Sequence, residues 1–224
     1  SALDVENFSK LICLIDPKSP LSESLRSLRT NIQFASMDRK VKSILFNSAG
    51  LGEGKSTCVT NLAITLAQEG QRVLLVDADL RRPIVHQRLG LDRIPGLADA
   101  LVGSTSWRSH VRSATDLMLG PMGADRVMST PGLDNLHILT SGSAVGNPNE
   151  FLNMTKIKAL VNEMNEEYDL VLFDTPPILP VTDAVAFSSR VDGTIVVYQV
   201  GRIGRNALKR AKFLLDHAQA NVMG

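Results

Sequence analysis

The segment 48–57, SAGLGEGKST, constrains this chain more than any other, because it joins the apolar run SILF to the patterned run CVTNLAITLA. Small residues between a strand and a helix, with a lysine followed by a hydroxyl residue, make the arrangement of a phosphate-binding loop. Gly52 and Gly54 permit the positive φ angles that turn successive backbone N–H groups into one concavity. Lys55 is set to reach β- and γ-phosphates and Ser56 to bind Mg²⁺, at a helix N-terminus whose dipole favours anions. The pattern is the relaxed one, since Ala49 stands where the strict form has glycine.

The rest of the chain alternates. SPLSESLRSLRTNIQFAS predicts a helix, with Leu21, Leu25, Leu28, Ile32 and Ala35 on its apolar side. KSTCVTNLAITLAQEG predicts another, with Val59, Leu62, Ala63, Leu66 and Ala67 inward and Gly70 as its stop. QRVLLVDAD, NLHILTSG, YDLVLFDTPP and DGTIVVYQV read as strands, separated by helices at NEFLNMTKIKALVNEMNEE, TDAVAFSS and GRNALKRAKFLLDHAQA. Short helical pieces are expected at PIVHQRLG and GLADALVG. Strands alternating with helices predict an α/β fold: a mostly parallel sheet covered on both faces, as one domain over residues 1–224. The closing NVMG reads as a turn into a further strand, so a last strand and a C-terminal tail are expected beyond this sequence.

Two further strand ends carry acid. Asp77 and Asp79 close VLLVDAD at i and i+2, hence on one side of the strand. Asp174 closes LVLFD in the form of a Walker B strand, whose aspartate holds metal directly or through water. In open α/β sheets the carboxyl edge is where ligands bind. Three carboxylates there beside a phosphate loop imply a nucleotide with Mg²⁺.

Together AGLGEGKST, VLLVDADLRRP and LVLFDTPP resemble the Walker A, A′ and B motifs of the bacterial tyrosine kinases, the P-loop autokinases of capsule and exopolysaccharide export. ESLRSLRTNI is similar to that family's Glu-x₂-Arg-x₂-Arg helix, at Glu23, Arg26 and Arg29, and GNPNEFL to its Asn-Pro-rich lead-in before Walker B. The resemblance implies a P-loop NTPase-type fold and transfer of phosphate from ATP to tyrosine, largely between neighbouring subunits of a ring. It implies that Gly50, Gly52, Glu53, Gly54, Lys55, Ser56 and Thr57 hold the nucleotide. Lys55, Asp77 and Asp79 would be catalytic, Asp77 as base near the incoming phenol. Ser56, Asp79 and Asp174 would hold the metal, and Glu23, Arg26 and Arg29 would meet the neighbouring subunit. The implied partners are a tyrosine-rich tail and a membrane-spanning polysaccharide co-polymerase. The implied place is the cytoplasm, at the inner face of the membrane through that partner or through an N-terminal region outside this sequence.

The chain also departs from the family. It has only Tyr168 and Tyr198, each in an expected strand and neither in a tail cluster. Residues 107–132 are longer than the family needs there, and read as a lid, an insertion or a loop. A partitioning or division-site ATPase, acting as a switch without kinase activity, is the rival reading; Gly50 stands where those proteins carry an extra lysine. A scaffold that keeps nucleotide only for assembly is the third. A net charge of +1 gives no case for nucleic acid. No run approaches the roughly 20 apolar residues of a membrane span. Cys13 and Cys58 suggest a reducing compartment, and four scattered histidines predict no structural zinc.

Overall fold

The computed structural model describes residues 9–37, 40–103, 105–146, 154–181 and 183–224. Five strands form one parallel sheet: β1 (Ser43–Ser48), β2 (Val73–Asp77), β3 (Leu136–Leu139), β4 (Leu170–Asp174) and β5 (Gly193–Val197). Their order is β3-β2-β4-β1-β5, so the crossover from β1 to β2 passes over β4. Each strand is short and apolar with little polar alternation, as both faces are covered. The pleat sorts the side chains. Ile44, Phe46, Val73, Leu75, Ile138 and Leu172 go to one core, and Leu45, Leu74, Val76, Leu139, Val171 and Phe173 to the other.

Among the described residues the helices are α1 (Ile12–Ile15), α2 (Pro20–Met37), α3 (Lys55–Gln68), α4 (Val85–Leu89), α5 (Leu97–Val102), α6 (Ala114–Leu119), α7 (Ala124–Met128), α8 (Met154–Glu167), α9 (Asp183–Ser188) and α10 (Arg205–His217). The first core is built on α3, which is buried from Val59 to Ala67. The single inward face read from its sequence is a correction. α3 lies between the sheet and a second layer of α1 and α2, and even its Asn61 is used, accepting from Cys13 N and donating to Lys10 O. The second core rests on Ile157, Val161 and Met164 of α8. The expected start of that helix, in GNPNEFL, lies mostly outside the described residues.

α2 packs Leu25, Leu28 and Ile32 of its expected apolar stripe on the first core, while Leu21 and Ala35 at its ends are exposed. Ser22 and Arg29 also turn inward. The cause is polar: Ser22 Oγ donates to Asp16 O at 2.7 Å, and Arg29 reaches Glu69 of the adjoining α3–β2 turn at 2.8 Å.

Residues 107–132 form neither a lid nor a plain loop. A 3₁₀ turn (Trp107–His110), α6 and α7 pack onto the cores through Trp107, Leu117, Met122 and Val127. Tyr168 lies two residues before β4, buried with its hydroxyl 2.7 Å from His137 Nδ1, and Tyr198 directly follows β5. Residues 221–224 lie parallel to β5, with Met223 N donating to Thr194 O at 2.9 Å. The closing NVMG, read from the sequence as a turn, is thus paired alongside β5.

Candidate nucleotide site

The loop after β1 takes the form its glycines permit. Gly52 and Gly54 have φ of 74° and 85°, and Gly54 in the left-handed region caps α3. Ala49 is tolerated because its methyl is buried against Ile178, Ala211 and Leu215, the third core beneath α10. The loop is held shut by its own acid: Glu53 Oε2 accepts Gly50 N at 2.8 Å, and Oε1 accepts Gln199 N at 3.4 Å. Glu53, expected among the nucleotide-binding residues, thus turns its carboxylate onto the loop backbone. Thr57 sits half-buried on α3 and does not line the pocket.

That pocket, about 150 Å³, opens over the loop. One part of its wall is Gly50, Gly52, Gly54, Lys55 and Ser56; the other comes from Asp79, Arg82 and Arg88 of the segment after β2. Lys55 Nζ bonds Asp174 Oδ1 and lies 3.2 Å from Ser56 Oγ. Asp174 Oδ2 is buried and has no partner. Sheet register explains the clustering, since Asp77 and Asp174 are opposite residues on paired strands. Parallel pairing of β2 with β4 brings carboxylates nearly a hundred positions apart to one edge.

The two A′ aspartates differ sharply. Asp77 is wholly buried behind the pocket wall; its Oδ1 accepts Asp79 N at 3.3 Å and its Oδ2 accepts Ile84 N and Val85 N at 3.2 and 3.1 Å. Burial, and then the Asp174 charge, hold it well above the usual carboxylate range. Asp79 lines the pocket, with Oδ1 accepting Arg81 N at 3.2 Å and Arg82 N at 2.9 Å. Burial raises it too, against the pull of the Arg82 N–H. The phenol's base, expected at Asp77, is therefore not brought to the pocket in this structure; Asp79 is.

Sequence reasoning missed Arg88. It lies on α4, where HQRL has no motif, and only the fold turns it to the pocket. Glu23, Arg26 and Arg29 are not part of this site. Arg26 pairs with Glu23 on α2, and Arg29 is drawn inward to Glu69 and to Thr65 O at 3.4 Å.

The residues fit Mg²⁺ in the way the metal binds beside phosphates, where one or two carboxylates and water suffice. The buried, partnerless Asp174 Oδ2 and the Ser56 hydroxyl are oxygen donors of that kind. Among the described residues, no cluster of three or more His, Cys, Asp or Glu forms a metal cage.

A parallel sheet, a glycine nest and a pinned lysine define a P-loop nucleotide-binding protein, and an AAA domain family model matches residues 40–219. The tyrosine-protein kinase YwqD of Bacillus subtilis is 38% identical over 96% of this chain and 83% of its own length. The putative tyrosine-protein kinase CapB of Staphylococcus aureus is 31% identical over 93% and 84%. The solved kinase domain of Escherichia coli tyrosine kinase ETK superposes with a TM-score of 0.84 at 27% identity, over 96% of this chain and 77% of that one. The chain belongs to the bacterial tyrosine-protein kinases.

Proposed function

We propose that this domain transfers the γ-phosphoryl group of Mg-ATP to tyrosine on a neighbouring subunit or partner protein. The observation that carries the reading is the joining of the Walker A lysine to the Walker B aspartate beside an open glycine nest. Phosphoryl transfer needs little covalent help from protein; alignment and neutralised charge do most of it. Lys55 and the loop N–H groups would hold the β- and γ-phosphates. Ser56 and Asp174 would hold Mg²⁺, mostly through water, where it would neutralise charge on the phosphates. As the phenol oxygen bonds to phosphorus, the bond to the β–γ bridging oxygen breaks and ADP leaves. The phenol proton passes to Asp79, the carboxylate on the pocket wall. Asp77 is assigned a positioning role, tying α4 to the end of β2.

Relatives named as tyrosine-protein kinases support the kinase reading, which we extend, as the family resemblance implies, to control of capsule or exopolysaccharide synthesis alongside a membrane-spanning co-polymerase at the inner membrane face. The chimeric protein CapA2B2, 33% identical with a TM-score of 0.83 over 97% of this chain and 88% of its own, supports a partner-bound form. Among the described residues no helix is long and apolar enough to cross a membrane. For ring assembly, the outer side of α2 offers Glu23 and Arg26 in its first half and Phe34 and Met37 in its last turn, each pair three apart. Arg29 supports it from inside by fixing α2 to α3.

The test is incubation with γ-labelled ATP and a tyrosine-rich peptide. Label on tyrosine supports the kinase. Free phosphate alone favours the switch reading, and neither product favours the scaffold.

A further inference from the structure

Arg88 is the least explained charge in the molecule. Its Nε and Nη1 are buried and have no hydrogen-bond acceptor. A guanidinium cannot shed its proton to escape such a position, and burying a cation without a partner is costly. Asp174 and Asp77 favour its charge from a distance, against the larger opposing effect of burial. Asp77 takes backbone N–H groups on both oxygens and Asp174 Oδ1 takes Lys55, while Asp174 Oδ2, itself without a partner, makes no hydrogen bond to Arg88.

The backbone around Arg88 is fixed. Its N donates to Ile84 O at 3.1 Å, and the start of the same short helix is bonded to Asp77 Oδ2. The helix that carries Arg88 is thus tied at its start by a carboxylate that the sheet itself positions. Arg88 shares the pocket wall with Lys55, Ser56 and Asp79.

We propose that Arg88 is a further catalytic residue, whose guanidinium binds the terminal phosphoryl group of the nucleotide in the pocket that Lys55 also lines. The proposal rests on the nucleotide reading of this pocket. The lining divides the work. Lys55 and the glycine nest take the phosphates nearest the loop, and the β2–α4 segment carries the aspartate toward which the phosphoryl is passed. A cation from that segment meets the terminal group rather than the α-phosphate. During transfer the bond from phosphorus to the β–γ bridging oxygen breaks, the phenol oxygen takes its place, and the proton goes to Asp79. Charge on the equatorial oxygens is then met by the N–H donors of the guanidinium. A diphosphate leaves Arg88 as unpaired as it is without ligand.

The experiment uses Arg88→Met, which keeps the packed stem, and Arg88→Lys, which keeps charge without the fork. Binding of a non-hydrolysable ATP analogue and of ADP, each with magnesium, is measured for both variants and for the parent chain, together with the ligand-free melting temperature and the single-turnover rate with ATP. Arg88→Met is expected to bind the triphosphate roughly ten- to a hundredfold more weakly, the effect of one or two charge-assisted hydrogen bonds. Its ADP affinity should stay within about twofold, because ADP lacks the group contacted. Its ligand-free melting temperature should equal or exceed that of the parent, since the substitution removes an unpaired buried cation. Transfer should slow by about a hundredfold or more, with Arg88→Lys between the two. Equal weakening of both nucleotides with a lower melting temperature would make Arg88 a structural residue and overturn the proposal. So would unchanged affinities and rate. A parent chain that binds neither nucleotide would overturn the reading of the whole pocket, an outcome distinct from either.

Discussion

The pair Lys55–Asp174 is a strong point for perturbation, because it serves folding before it serves chemistry. Its side chains are 8% and 0% exposed. Asp174 Oδ1 has lysine as its partner and Oδ2 has none, while Asp77 stands opposite on the paired strand. Lys55→Met removes the cation, keeps the aliphatic stem and leaves a buried aspartate without compensation. Breaking a buried pair from one side costs about 3–5 kcal/mol. In a chain of this size each kcal/mol moves the melting temperature by roughly 2–4 °C, so a fall of about 6–20 °C is expected. Asp174→Asn should cost less, since Lys55 reaches the open pocket and can turn its ammonium to water. The double variant Lys55→Met/Asp174→Asn should recover part of the loss, because no charge remains stranded. Thermal melts of the four ligand-free proteins close a double-mutant cycle, and a coupling above about 2 kcal/mol is expected for groups in contact. A Lys55→Met protein that melts with the parent, or a double variant that loses the sum of the two single losses, would refute the reasoning. The pair would then be a surface-like contact of no structural weight.

The other expectations concern charge and backbone. Asp79 has its folded-state pKa raised by burial, so its ionisation opposes folding. Stability from this group is greatest at low pH and is lost as pH rises from the ordinary carboxylate value of about 4 through the raised one. Asp79→Asn keeps the acceptor for Arg81 N and Arg82 N, and should gain melting temperature over the parent as pH goes from 4 to 7; a gap that shrinks over that range would contradict it. Gly52→Ala should cost nucleotide binding at least tenfold by fluorescence titration, with about 1–2 kcal/mol of stability. Its φ is 74°, and a new methyl group would meet Arg202 Cζ at 2.9 Å. Unchanged nucleotide affinity would count against the nest.

Much of the fold is legible because burial on both faces leaves its mark on consecutive residues. Runs such as VLLV and LVLF read as strands without their partners, and the spacing of glycines around Lys55 specifies a turn whatever surrounds it. Longer helices were found by period. The segment 107–132 was not, because helices of four to six residues hold too few turns to show a period, and their order comes from Trp107, Leu117 and Val127 reaching a core made elsewhere. The apolar stripe of α2 was legible at Leu25, Leu28 and Ile32, but the inward Ser22 and Arg29 were not, because serine and arginine, polar by type, bury themselves where Asp16 O and Glu69 receive them.

By itself the sequence determined the chemistry on offer: a phosphate loop, three strand-end aspartates and an alternation that admits a parallel sheet. The tertiary structure decided which of those groups meet. Strand order set Asp174 beside Asp77. Backbone donors at the start of α4 then claimed Asp77, leaving Asp79 to face the pocket and Arg88 without an acceptor. Such outcomes depend on competition among groups far apart in the chain for a few hydrogen bonds away from water, and no local pattern records who wins.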